Sequence, residues 1–294
     1  MTDLTSASLQ QLRNSITTLN TDIEIIRNLE WTNSHVLSKV HDLLIEDAAM
    51  NWRKSSPNPL ARCGQKSFSQ NDEDGITLEI LRRIGLTNGT FAEYGVGNGL
   101  ENNTLILASL GWKGFWIGGE ALAFDVQASQ RLHYIRGWIT LDNLYHLTLQ
   151  GLNYLLVDTP DVVSLDLDGN DYHFVEHLLK NQIAPALFIV EYNAKFIPPA
   201  RFVMDYNPTH QWDGSDYYGA SLTNYIELFN THGYRLVCCN AQTGTNAFFV
   251  RGEYAGVFAD VPEAILDIYV EPRFYLYKQY GHSLSPKTIA QMVR

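Results

Sequence analysis

The sequence predicts an α/β fold: a mostly parallel sheet of seven strands whose last strand is antiparallel, preceded by an N-terminal helical extension. Three observations carry this. From about residue 67 onward, short apolar runs alternate with helical stretches, as in strand–helix units whose parallel sheet is covered on both faces. Near the end, YRLVCCN and NAFFVR flank the short turn AQTGT, which reads as a hairpin. Ahead of both, residues 4–50 carry apolar side chains at helical spacing.

In order along the chain, Leu9, Leu12, Ile16, Leu19, Ile23 and Ile26 are separated by steps of 3, 4, 3, 4 and 3, the seam of a heptad. Leu37, Val40 and Leu44 continue the stripe after a slip around Trp31 to Ser34. Such a helix either packs on its own domain or pairs with another copy. Residues 1–50 are therefore read as a helical segment suited to coiled-coil homo-oligomerisation. Residues 51–66, with two prolines, read as a linker. The domain proper spans 67–251. A helix over 72–84 precedes the first strand, TFAEYG. A helix over about 101–110 follows, then the strands GFWIGG, HYIRGWI and VVSLDL. A helix over 171–181 leads to the fifth strand, ALFIVEY. A helix at about 219–231 leads into the hairpin. Residues 252–294 are read as a C-terminal arm with a helix around 262–268.

In 294 residues, Asp and Glu outnumber Lys and Arg by 32 to 21, for a net charge of −11. That argues against gripping nucleic acid by its phosphates, or an anionic membrane surface. Cys63, Cys238 and Cys239 form neither a disulfide framework nor a zinc signature. With no secretory leader pattern and no run of about 18 apolar residues, a cytoplasmic protein with no membrane span is expected.

The chemistry concentrates where strands end. FAEYGVGNGLENN, residues 91–103, places Gly95, Gly97 and Gly99 between a strand and a helix, where a parallel sheet opens its ligand crevice. The spacing is GxGxG, whereas the dinucleotide fingerprint is GxGxxG. An acid, Glu93, precedes it and disfavours a phosphate. It favours a ligand with an ammonium group, such as the methionine part of S-adenosylmethionine. Glu120, after the second strand, is placed to accept hydrogen bonds from ribose hydroxyls. Gln70, with Ser69 and Glu73, lies ahead of the first strand and is placed to close over that ligand; capping of the helix by Ser69 or Asp72 is the alternative. Asn103 and Asp166 complete the expected cofactor-binding set.

VSLDLDGNDYHF brings Asp166, Asp168 and Asp171 to the end of the fourth strand. IVEYNAKF brings Glu191 and Asn193 to the end of the fifth. Hard oxygen ligands converging there suit Mg²⁺. The alternative is a turn at Asp168–Asn170 and a helix cap by Asp171. Residues 195–218 form a long aromatic-rich insertion suited to sugar rings. His210, Lys195 and Asp168 are the candidate bases.

SQNDEDGITLEIL, TFAEYGVGNGLENNTLIL and GWKGFWIGGE, followed by ITLDNL, VSLDLDGNDY, PALFIVEYNAKF, DYYGASL, GYRLVCCN and TNAFFVR, together resemble the FkbM-type methyltransferases. The resemblance covers about residues 67–251. It implies a class I methyltransferase (Rossmann-like) fold, whose sheet ends in such a hairpin, and S-adenosylmethionine as methyl donor. It also implies a sugar hydroxyl on a glycan, polysaccharide or nucleotide sugar as acceptor. By analogy with Mg²⁺-assisted sugar and catechol O-methyltransferases it implies Asp166, Glu191 and Asn193 as metal ligands, with Asp168 in reserve. The chain departs from the pattern at Gly118 and Gly119, where an acid is usual, and at His173, where an aromatic is common. Two other readings compete. One is a non-catalytic scaffold that keeps the fold. The other is an NAD-linked oxidoreductase, disfavoured by GxGxG and the antiparallel end.

Overall fold

The structure, a computed structural model, describes residues 2–272 and 285–294. The chain divides into two compact units, Met1–Asp47 and Ala48–Arg294.

Helix α1 (Thr2–Ser55) contains no glycine or proline and ends two residues before Pro57, with Arg53 and Lys54 in its last turn facing the negative end of the helix dipole. Leu9, Leu12, Ile16, Leu19, Ile23 and Ile26 are all exposed on it. The expected slip at Trp31–Ser34 does not occur. The 3–4 spacing runs on without a break through Glu30 and Asn33 to Leu37, Val40 and Leu44.

The stretch read as a linker is folded instead. α1 occupies its first five residues, and Pro59–Cys63 forms a 3-10 turn. Asn58 starts that turn, accepting from the Leu60 N–H at 3.0 Å and donating to the Val237 carbonyl at 2.8 Å. Leu60 is fully buried, so apolar burial holds this segment against the domain.

The second unit carries α2 (Glu73–Ile84), β1 (Thr90–Tyr94), α3 (Leu105–Ser109), β2 (Lys113–Gly118), β3 (Leu132–Arg136), α4 (Leu144–Leu155), β4 (Val162–Leu165), α5 (Asp171–Lys180), β5 (Leu187–Glu191), α6 (Leu222–Thr231), β6 (Tyr234–Cys239), β7 (Asn246–Arg251) and α7 (Pro286–Met292). The seven strands lie in the order β3-β2-β1-β4-β5-β7-β6. β1 to β5 pair in parallel, while β7 runs antiparallel to both β5 and β6. This is the class I methyltransferase sheet. β1 lies between β2 and β4, so the chain order reverses there, and a crevice opens beyond the strand ends.

Phe91, Ala92, Tyr94, Val162, Val163, Phe188 and Ile189 are all fully buried, as strands covered on both faces require. On one side Phe229 of α6 stacks on Phe249 of β7 with ring centroids 4.0 Å apart. α4 has no counterpart in the sequence expectations. Its Gly151 breaks the helical signal, yet a Cβ there would lie 2.3 Å from the Phe115 ring. The helix sits close on β2 because that residue has no side chain.

The helix expected around 262–268 is reduced to one 3-10 turn, Ile265–Asp267. Buried Val261 and Val270 pin the segment at both ends and leave room for little more. The rest of the arm is partly outside the described residues. α7 is seated by Asp216, which accepts from the Ser285 N–H (2.8 Å) and the Thr288 hydroxyl (2.7 Å).

Candidate active site

Two adjoining clefts open beyond the carboxyl ends of β1, β2 and β4. The first, of about 260 Å³, is lined by Gln70, Gly97, Gly99, Asn103, Asp166 and Asn246, among others. The second, of about 450 Å³, is bounded by Glu120, Trp138, Asp168, His210 and Trp212. Gly95, Gly97, Asp166 and Asp168 belong to both.

The glycine turn divides them. The N–H groups of Gly95 and Val96 both donate to the Ile117 carbonyl, at 3.0 and 3.2 Å, which ties the turn to β2. Gly95 has φ +89°, and a Cβ there would lie 1.7 Å from the Asp166 carbonyl oxygen. Only glycine allows the ends of β1 and β4 to meet this closely. A Cβ on Gly97 would meet nothing within 4 Å, so its backbone faces open cleft.

Glu93 sits differently from the expectation. Its carboxylate accepts from the N–H groups of Asn103 (2.9 Å) and Thr104 (3.0 Å) and from the Thr104 hydroxyl. Trp116 in turn donates to that hydroxyl at 2.9 Å. Burial pushes the Glu93 carboxyl up, and these hydrogen bonds oppose the shift. Glu93 borders the first cleft, but its oxygens fasten the chain entering α3 and do not await an ammonium group. Asn103 is held by Glu93 and by its side-chain bond to Ser164 Oγ, 3.1 Å.

Gln70 is exposed at the first cleft. Its loop is wound around Asp74, which accepts from the N–H groups of Ser67, Phe68 and Ser69. Neither Ser69 nor Asp72 caps α2 through its side chain. Asp72 instead pairs with Arg53 at 2.8 Å and receives the Ala241 and Gln242 N–H groups of the β6–β7 turn. Glu120 lies exposed at the rim of the second cleft.

Asp166, Asp168 and Glu191 converge, each offering an oxygen within 4.8 Å of the others. Burial, and then the neighbouring acids, drives the carboxyls of Asp166 and Glu191 well above the carboxylate range. Glu191 Oε2 is buried with no hydrogen-bond partner. Three hard oxygens and an unpartnered carboxylate oxygen fit a divalent cation. Asp171 is not part of the set. It accepts from the N–H groups of Leu167 (2.7 Å) and Gly169 (2.9 Å), and so shapes the turn that carries Asp168.

Two predicted residues are committed elsewhere. Asn193 donates to the carbonyls of Asp216 (2.9 Å) and Tyr218 (3.1 Å), and its Oδ1 accepts from the Lys195 N–H. Its amide is spent on the loop, so it is not positioned as a ligand. Lys195 forms an ion pair with the fully buried Asp216, which holds its ammonium away from both clefts.

His210 is in place. Its ring lies against Gly169, where a Cβ would approach Cδ2 to 2.3 Å. Its Nε2 is buried and without a partner. The Asp168 carboxyl beside it is raised by burial and lowered by the nearby His210. His173, by contrast, bonds the Met204 carbonyl at 2.7 Å. Trp138 and Asn246 were not anticipated. Asn246 reaches the site because β7 starts opposite Glu191, a register visible only once the strands are paired.

No family model matches the chain, and no curated protein matches its sequence. Among solved structures the chain is similar to 1,6-didemethyltoxoflavin-N1-methyltransferase of Burkholderia thailandensis, with bound 1,6-didemethyltoxoflavin and S-adenosylhomocysteine, at 9% identity over 59% of this chain and 74% of that one, TM-score 0.34. It is similar to the glycopeptide N-methyltransferase MtfA complexed with S-adenosylhomocysteine, at 14% identity over 66% and 95%, TM-score 0.35. It is also similar to the N-terminal domain of EvdMO1 in the presence of S-adenosylhomocysteine and D-fucose, at 10% identity over 63% and 83%, TM-score 0.37. The architecture rests on the sheet order itself.

Proposed function

We propose that the protein is an S-adenosylmethionine-dependent O-methyltransferase of the FkbM type that acts on a sugar hydroxyl. One observation carries this reading. The glycine turn at the switch point separates two clefts that share its backbone, one acidic and amide-lined, the other flanked by Glu120 and Trp138. Together they suit the amino-acid and nucleoside ends of one donor. The antiparallel β7 disfavours the NAD alternative.

When bound, the donor supplies a methyl group already activated on a sulfonium. The chain's own residues then have two tasks. The first is alignment: the Gly95–Gly99 turn holds the donor by its backbone and Glu120 takes the ribose hydroxyls. Trp138 and Trp212 offer ring faces for an acceptor at the mouth of the second cleft. The second is removal of the hydroxyl proton. His210 lines the second cleft beside Asp168, and its Nε2 has no hydrogen-bond partner, so the role of base falls to it. Asp166, Asp168 and Glu191 would hold Mg²⁺, which would lower the pKa of a hydroxyl in this cleft.

The same reading takes the exposed seam of α1 as the contact to a second copy, and the three free cysteines as suited to the cytoplasm. No described helix is long and apolar enough to cross a membrane. The test incubates the protein with donor and a panel of nucleotide sugars and glycans, with mass spectrometry as readout. One product gaining a methyl mass is expected, and the gain should vanish in His210→Ala. No methylated product from any sugar in the panel contradicts the acceptor assignment.

A further inference from the structure

The first cleft has a wall that the donor-binding set leaves unused. Asn246 opens β7 there and is 4% exposed; its side chain meets Glu73, which opens α2 and is fully buried. The Asn246 N–H donates to Asn240 Oδ1 at 2.9 Å. Its Nδ2 donates to Glu73 Oε1 at 3.0 Å, while Glu73 Oε2 accepts from the Asn71 N–H at 3.0 Å. Once ionised, above about pH 7, the Glu73 carboxylate fixes which way the amide points, because the flipped amide would set oxygen against oxygen. What remains is Asn246 Oδ1, buried and without any partner.

A buried amide oxygen without a donor is unfavourable, and native folds rarely leave one unfilled. Asn246 lines the cleft, so the missing donor comes from whatever enters it. The surroundings name its chemistry. Glu93, Glu101, Asp166 and Asp168 line the same space, and among the described residues no lysine or arginine does. An oxygen acceptor in an acidic cleft selects a cationic N–H donor.

We infer that Asn246 Oδ1 anchors the α-ammonium group of the donor's amino-acid tail, making Asn246 a specificity residue that sorts the whole donor from nucleosides lacking that group. This rests on the donor reading above. Glu73 is a positioning residue, since it acts only by orienting the amide. Asn246 thus fills the role first expected of Glu93.

The test is titration calorimetry on the full chain with S-adenosylhomocysteine and with its desamino analogue, in which hydrogen replaces the ammonium. The unaltered protein should prefer S-adenosylhomocysteine by about tenfold or more, the usual worth of a hydrogen bond to a charged group. Asn246→Ala should bind both ligands alike, by weakening for S-adenosylhomocysteine only. Asn246→Asp, which restores an acceptor, should recover the preference. If the alanine variant does not fold, Asn246→Leu, similar in size but without an acceptor, repeats the measurement. Equal weakening for both ligands, or a preference that survives in Asn246→Ala, overturns the inference and leaves the donor reading standing. If the unaltered protein binds neither ligand, the donor reading falls and this inference falls with it.

Discussion

Two acids lie at the ends of two strands of the same sheet, and their surroundings could hardly differ more. Glu93, one residue before the end of β1, has its carboxylate bonded to two backbone N–H groups and a hydroxyl. Glu191 closes β5 beside Asp166 and Asp168, with one oxygen lacking any partner. Both are pushed up by burial, but the further causes have opposite sign. Hydrogen bonds from the chain pull Glu93 back down, while neighbouring acids push Glu191 further up. An acid whose lone pairs are met by N–H groups is scaffold. An acid surrounded by other acids is suited to the proposed cation.

The largest effect tests the scaffold side. Glu93→Ala leaves two buried N–H groups and a hydroxyl without their acceptor. A loss of about 3 kcal/mol is expected, seen as a fall of roughly 6–12 °C in Tm. An unchanged Tm would show that Glu93 does not hold the α3 entry.

Glu73 makes a third case, an acid met by amides but buried deeply enough to titrate near neutrality. Burial, and then Asp72, pushes it from its ordinary 4.5 up to about 7. The native state therefore keeps a proton that the unfolded chain has already lost. Its contribution to stability is greatest below pH 4.5 and is lost as pH rises through 7, in total about 3 kcal/mol. Asp171, raised to about 6 mainly by burial, acts in the same direction. Glu73→Gln should flatten chemical denaturation midpoints between pH 5 and 8. A slope that persists unchanged would remove Glu73 as its source.

On the cation side, Asp166→Asn removes one of three clustered charges. Folding should become more stable above neutral pH by about 1–2 kcal/mol, while methyl transfer falls about a hundredfold. Reduced stability instead would place Asp166 with Glu93. The smallest effect should be that of the metal alone. Millimolar MgCl₂ should raise the Tm of the unaltered protein by about 2–5 °C and leave Asp166→Asn unmoved. Equal shifts in both would make the ion's effect nonspecific.

The sequence made the strands and the glycine turn legible because their signals are local: alternation, apolar runs and the GxGxG spacing all lie within a few residues. α4 was hidden, since Gly151 argues against a helix until Phe115 is seen to lie against it. The convergence of Asp166, Asp168 and Glu191, and the place of His210 at the second cleft, were legible, since these residues follow strand ends or sit in the insertion. It was misread at Asn193 and Lys195, because Asp216, whose carbonyl and carboxylate engage them, lies more than 20 residues further along. Asn246 carries no local signal at all. Its place depends on the antiparallel pairing that sets it opposite Glu191.

Everything said of the two clefts turns on the ligand that spans them. Titration calorimetry of the full chain with S-adenosylhomocysteine, beside NAD, decides it most directly. The account predicts saturable one-to-one binding of S-adenosylhomocysteine and none of NAD. Absence of heat with S-adenosylhomocysteine, or saturable binding of NAD, would contradict it.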